Sequence, residues 1–427
     1  MKKLILSFFA LAALSTALLA QNETPAKFKL YGFIRNYAIF DSREVKAGTE
    51  DLYFYMPVDE NKLANGTDLN ATPSFRLLSL TTRLGLDVSG YQFGSMKLNG
   101  KVEADFYCKS GSTAILRLRQ AYIGLTWDKL GKNAENSFLL TIGQTWHPMA
   151  ADMPHIVNLE TGAPFNPFNR SPQIMANYSF GKKVTLTAGA IYGMQYLPVG
   201  PTSNDDLKVT KSANYMKYGL IPEIYAGITL KPTSSFTAKV GANLFTIKPR
   251  WKDGLGPLSD RLITVSPFVF LQYTGKNGLQ IRAKSIFAQA GEHMNLLTGY
   301  GVSKINNDGS WEYTPMRSTA SFISAQYGKK WQVMGMIGYM RLLGTSEDLI
   351  DTDHYWFNNS GVSNIRQMFR ATPTLAYNLG KLTLAIEYNL TGVQFGAKSS
   401  MDAQGLVQDN LHWVLNHRIL TMAKFTF

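Results

Sequence analysis

Polar and apolar residues alternate one by one over long stretches of this chain, most clearly from Met96 to Cys108 (MKLNGKVEADFYC). Lys97, Asn99, Lys101, Glu103, Asp105 and Tyr107 share one parity, and Met96, Leu98, Gly100, Val102, Ala104, Phe106 and Cys108 the other. Successive side chains of a strand point to opposite faces, so this stretch predicts a strand wet on one side and apolar on the other. At about 3.3 Å per residue it spans ~43 Å, beyond a common strand of about 5–6 residues and long enough to cross a bilayer at a tilt. The parity puts Cys108 on the lipid side.

The alternation recurs along the chain. Thr237, Lys239, Gly241 and Asn243 oppose Phe236, Ala238, Val240, Ala242 and Leu244; Thr383, Ala385, Glu387 and Asn389 oppose Leu382, Leu384, Ile386, Tyr388 and Leu390. About sixteen strands are predicted, near 28–41, 74–88, 95–108, 114–127, 138–146, 172–180, 184–195, 216–230, 235–247, 262–273, 278–289, 312–327, 331–343, 365–378, 382–394 and 412–427. Short turns such as Gly181-Lys182-Lys183 and Gly328-Lys329-Lys330 alternate with long polar connections at 42–73, 147–171, 196–215, 248–261, 290–311, 344–364 and 395–411. Sorting of short turns to one end and long loops to the other is the habit of outer-membrane barrels. Aromatics near strand ends, including Trp127, Trp146, Trp331, Trp413 and Phe425, suit interfacial girdles. The fold class is therefore all-β: a transmembrane antiparallel β-barrel of about sixteen strands, with long extracellular loops and short periplasmic turns.

The N-terminus supplies the route. Lys2 and Lys3, an apolar run from Leu4 to Leu19, and Ala20 before Gln21 read as a secretory signal over 1–20, leaving 21–427 as the barrel. Downstream, no apolar run approaches the roughly 18 residues of a spanning helix, and closed barrels are the other structure that hydrocarbon admits. The chain ends in an amphipathic strand closing on Phe427, as barrel assembly signals do. The expected location is the bacterial outer membrane. A single cysteine excludes an intramolecular disulfide framework.

The charge is +13, which fits either loops on an acidic cell surface or a lumen that attracts anions. Where the arginines point separates the two. By parity Arg35, Arg83, Arg117, Arg119, Arg282, Lys284, Arg366, Arg370 and Arg418 fall on wet faces, since an Arg on the lipid side near midplane costs about 2–4 kcal/mol. They are the candidate basic pore wall, with Asp87, Lys101, Glu103 and Asp105 as acidic and polar companions. These groups could equally form ion-pair ladders that only stiffen the wall. The segment 147–171 carries Pro148, Pro154, Pro164 and Pro167 with Phe165 and Phe168, which argues for an ordered insert into the lumen. Its candidate constriction residues are Asp152, Glu160 and Arg170.

Gly100-Lys101-Val102-Glu103-Ala104-Asp105-Phe106, Leu116-Arg117-Leu118-Arg119-Gln120-Ala121-Tyr122, Gly143-Gln144-Thr145-Trp146 and Arg170-Ser171-Pro172-Gln173-Ile174 resemble, in order and spacing, the DcaP-type porin family of trimeric outer-membrane channels. Asn416-His417-Arg418 and the terminal Phe add weaker support, and only Gln21 to Ala26 stand where relatives carry an extra N-terminal helical segment. The resemblance implies passive diffusion through a water-filled pore narrowed by the third outer loop, favouring small anionic solutes, in a homotrimer. The alternative is a barrel acting as a surface binding or adhesion protein through its outer loops.

Enzymatic readings find little footing. The histidines at 147, 155, 293, 354, 412 and 417 show neither metal-ligand spacing nor HExxH, and no nucleophile elbow or nucleotide fingerprint occurs. His147, Asp152 and His155 in one loop are the single hydrolytic candidate. No metal, cofactor or nucleic acid is expected.

Overall fold

In the computed structural model, residues 26–108, 114–132, 134–203, 206–254, 256–358 and 361–427 are described. The export signal expected over 1–20 and the short outer connection from Lys109 to Thr113 lie outside them. The remainder closes into an antiparallel barrel of 16 strands.

The first eight staves are β1 (Lys27–Asp41), β2 (Ser74–Leu78 continuing as Arg83–Phe93), β3 (Met96–Tyr107), β4 (Ile115–Leu130), β5 (Asn136–Trp146), β6 (Arg170–Phe180), β7 (Val184–Ile191) and β8 (Glu223–Leu230). They are followed by β9 (Phe236–Ile247), β10 (Leu262–Thr274), β11 (Gln280–Gln289), β12 (Trp311–Gly328), β13 (Trp331–Thr345), β14 (Ile365–Ala371 continuing as Thr374–Leu379), β15 (Leu382–Phe395) and β16 (His412–Thr426). Each pairs with its sequence neighbour, and β16 returns to β1 with Arg35 opposite Lys424 and Asp41 opposite Arg418. The terminal Phe427 finishes the seam by exchanging backbone hydrogen bonds with Gly32 at 3.3 and 3.1 Å. Gly32 has no side chain because the Phe427 ring occupies that space: a Cβ there would lie 2.7 Å from it.

Parity translates directly into solvent. Val102, Leu116, Leu118, Ile323 and Ile337 are exposed on the outer wall, whereas Glu103, Asp105 and Arg119 are buried inside. No helix among the described residues is long and apolar enough to cross a membrane; the exposed apolar side chains of the outer wall lie on strands. Ring pairs at the strand ends, Trp127 with Phe138 and Trp331 with Tyr377, make up part of the girdle.

Several of the staves are interrupted. The register between β3 and β4 shifts at Glu103/Ala104, leaving Arg119 as an extra bulged residue. A bulge lets two consecutive residues oppose one partner and re-aims the strand. Arg119 and Gln120 consequently both hydrogen-bond Glu103, and beyond the bulge it is odd-numbered Ile123 that faces outward. β2 breaks at 79–82, where Thr81 takes a left-handed φ of 66° and turns inward. β14 breaks before Pro373, which has no N–H to give to a ladder.

The expected eighth strand over 216–230 begins only at Glu223, behind a helical turn (Asn214–Lys217), left-handed Leu220 and Pro222. Cys108 is not on the lipid face: it follows the end of β3, is buried, and lies with its Sγ 3.7 Å from Glu50. A single outward Arg should expose the membrane contact. Val102→Arg at mid-strand is expected to destabilise the barrel by about 2–4 kcal/mol, measured by denaturant titration in lipid vesicles.

Candidate functional site: a cationic chamber under the inward-folded loops

The third outer loop (147–169) is rooted between β5 and β6, yet its contacts lie across the barrel. Lys239 on β9 pairs with Asp152 at 2.8 Å, Arg282 on β11 donates to the Met153 carbonyl at 2.7 Å, and the β15 carboxylate Glu387 accepts from the Val157 N–H at 2.6 Å. The loop therefore crosses the interior. Lys284 on β11 is its strongest anchor, donating to the carbonyls of Met149 and Asp152 at 2.8 Å each and to Asn166 Oδ1 at 2.6 Å. Phe165 seats on Gly338 of β13, where a Cβ would lie 2.5 Å from the ring.

The first outer loop folds inward as well, which alternation could not reveal. Its hairpin of Val45–Gly48 with Tyr53–Pro57 buries Leu52, Phe54 and Met56 completely. The two loops share one cation. Arg370 on β14 pairs with Glu160 at 3.1 Å, donates to the carbonyls of Ala163 at 2.8 Å and Tyr55 at 2.7 Å, and stacks between Phe54 and Phe165. Burial pushes the Glu160 carboxyl well above the usual carboxylate range, with Arg370 opposing. Arg418 on β16 repeats the device, forking onto Asp41 at 2.8 and 2.7 Å and onto the Asp51 carbonyl at 2.9 Å.

The expected wall residues thus divide. Arg370, Arg418 and Lys284 do not face open lumen: they are buried beneath the loops, where, among the described residues, carboxylates and backbone carbonyls take up their donors except for Arg418 Nη1. Arg282 is spent on the third loop and on Gln272, and Arg366, at a bulge in β14, reaches the Val407 carbonyl of the last outer loop at 3.3 Å. Arg35, Arg83, Arg117 and Arg119 assemble on β1–β4. Arg35 and Arg83 both lie over Phe33 at 4.8 Å; Arg83 is 3.6 Å from Glu103; Arg119 bridges Glu103 and Asp105 at 2.9 and 2.6 Å; Arg117 forks onto Asp105. Asp87 and Lys101 pair at 2.7 Å lower on the same wall, and Lys101 also donates to Tyr31.

Between that wall and the two loops lies a cavity of about 670 Å³. Lys46, Arg117, Arg170 and Lys211 line it, together with the rings of Tyr53, Tyr55, Tyr107, Phe168 and Tyr196; its lining residues include no carboxylate. Arg170, at the root of β6, is 2% exposed and stacks on Trp146 and Phe168, and its Nη1 finds no hydrogen-bond partner among the described residues. A buried donor left unpaired costs about 1–3 kcal/mol, more when charged, so the site is poised for an acceptor. Lys46, Lys211, Tyr53, Tyr55 and Tyr196 were not legible as site residues: they sit on outer loops whose inward path only the packing fixes.

The hydrolytic candidate comes apart. His147 binds Glu223, Asp152 binds Lys239, and His155, held near pKa 4 by burial and Arg282, stands against Ser324. No group of acidic, His or Cys side chains among the described residues fits a metal ion.

No protein-family model matches the chain, and no curated protein does. Among solved structures, the outer membrane channel DcaP of Acinetobacter baumannii aligns over 96% of this chain and 100% of its own at 18% identity and a TM-score of 0.64. An anion-selective porin from Comamonas acidovorans aligns over 94% and 100% at 11% identity, TM-score 0.50, and outer-membrane-expressed OmpT of Vibrio cholerae over 96% and 99% at 12% identity, TM-score 0.50. Lys284→Met should unpair three acceptors at about 1–3 kcal/mol apiece, lowering the thermal midpoint and opening 147–169 to limited proteolysis. With its closed barrel, apolar outer belt and shared fold, the chain is a 16-stranded β-barrel of porin architecture.

Proposed function

We propose that this barrel is a passive porin that admits small hydrophilic anions, with the chamber beneath the first and third loops as its constriction. The observation that carries the reading is the chamber lining: four cationic side chains, no carboxylate, and in Arg170 a buried guanidinium with an unused donor. In the low-dielectric wall such a cluster raises local anion concentration, and rings of Arg or Lys are the anion-selective device of pores. The ladder Arg35–Arg83–Glu103–Arg119–Asp105–Arg117 leaves cations in excess, so its net field has the same sign.

Flow follows the concentration gradient, with no nucleotide and no catalytic step. In this reading residues 1–20 direct export. The homotrimer that the family resemblance implies belongs to the same proposal, and sedimentation of the detergent-solubilised protein counts the copies. Lys46 and Lys211 are exposed at the chamber mouth, so Lys46→Glu with Lys211→Glu leaves the core intact. In planar bilayers under a salt gradient the double variant should lose anion preference, moving the reversal potential toward or past zero. An unchanged potential rejects the chamber as the selectivity site. Absence of any steady current in the unaltered protein favours a barrel that binds surface ligands through its loops.

A further inference from the structure

Both roots of the third loop converge on one carboxylate. Glu223, the first residue of β8, accepts from His147 Nε2 and His293 Nε2 at 3.1 Å each and from Asn243 at 2.5 Å, all on Oε1. His147 opens the third loop, and its N–H donates to the Asn169 carbonyl at 3.1 Å at the loop's far root. His293 belongs to the sixth outer loop, which takes hold of that far root through Phe168 N–H to the Met294 carbonyl and Asn169 Nδ2 to the His293 carbonyl, both at 2.9 Å. All three members of the bridge are buried to 3% exposure or less.

We propose that the His147–Glu223–His293 bridge is a proton-operated latch fixing the third loop over the chamber. The two histidines are not equivalent. His147 Nδ1 accepts the Met149 N–H at 3.1 Å, which assigns its proton to Nε2. The proton that comes and goes is therefore on His293, whose ring stacks on Phe245 at 3.7 Å. The groups around the bridge are Tyr225 on β8, Asn243 and Phe245 on β9, Asn169 of the third loop, and the buried Glu292 beside His293. Of these only Glu292 is a carboxylate, and none is a competing cation.

Burial alone disfavours a charged ring, but Glu223 and Glu292 outweigh it and raise His293 above its ordinary range. With a raised folded value, the charged bridge holds at acid pH and is lost as pH climbs through that value. Neutral His293 leaves Glu223 a buried carboxylate with only neutral donors, and the grip on both loop roots slackens. The change reaches the chamber directly. Asn295, two residues after His293, lines it, and its side chain donates to Tyr53 while its carbonyl accepts from Tyr55 at 3.0 Å.

The test is hydrogen exchange over residues 147–169 of the full-length detergent-solubilised barrel, as protection factors at about pH 5 and pH 8, the window in which histidine charge changes. The expected result is several-fold weaker protection at the higher pH, with His293→Gln showing no such change. Equal protection at both pH values overturns the latch, and so does a pH response retained in His293→Gln. Glu223→Gln gives a second reading: protection at acid pH should fall to the high-pH level. The expected rise in open-channel current with pH rests on the chamber being the solute path, whereas the exchange measurement does not. A pH-responsive loop in a barrel that passes no current upholds the latch and overturns the path.

Discussion

A cation removed from water needs acceptors, and this barrel supplies most of them with its own outer loops. Arg370, Arg418 and Lys284 are buried on β14, β16 and β11, and each collects backbone carbonyls from the first or third loop. Removing one partner from a buried charged pair typically costs about 3–5 kcal/mol, so wall and loops are interdependent. The loops fold inward because the wall offers donors there, and the wall tolerates buried arginines because the loops supply oxygens.

That interdependence also makes the chamber. The first loop brings Tyr53, Tyr55 and Lys46, the third brings Phe168, and the wall brings Arg117 and Arg170. Acids near the chamber are already committed: Asp105 to Arg117 and Arg119, Glu160 to Arg370, Asp152 to Lys239. The cavity itself is lined by Lys46, Arg117, Arg170 and Lys211 and by no carboxylate. The overall charge of +13 is less informative than this local imbalance. The arginines expected to form one wall thus do two jobs: those on β1–β4 and Arg170 shape the field, while those on β11, β14 and β16 hold the loops.

The barrel itself was legible residue by residue. Alternation from Met96 to Tyr107 placed Val102 outside and Glu103 and Asp105 inside, and the structure does the same, because a period of two allows no other arrangement across a wall with two solvents. Strand ends were less legible where the chain itself breaks the period. The Arg119 bulge, the left-handed Thr81 and the Arg366 bulge each shift register without any change in residue polarity. Cys108 was misassigned for a related reason: its strand had already ended, so parity no longer governed it.

Sequence alone determined which side chains meet lipid, how many staves the chain can form and which end carries the long loops, because those follow from local periodicity and turn chemistry. Which arginines face water and which are buried was decided only in three dimensions. Arg117 and Arg370 look alike in the chain, both polar positions on alternating strands. They differ because the third loop, rooted between β5 and β6, comes to rest against β9–β15 and covers one of them. Nothing within a strand records the path of a distant loop, since that path is set by contacts between residues more than a hundred positions apart, such as Glu160 with Arg370.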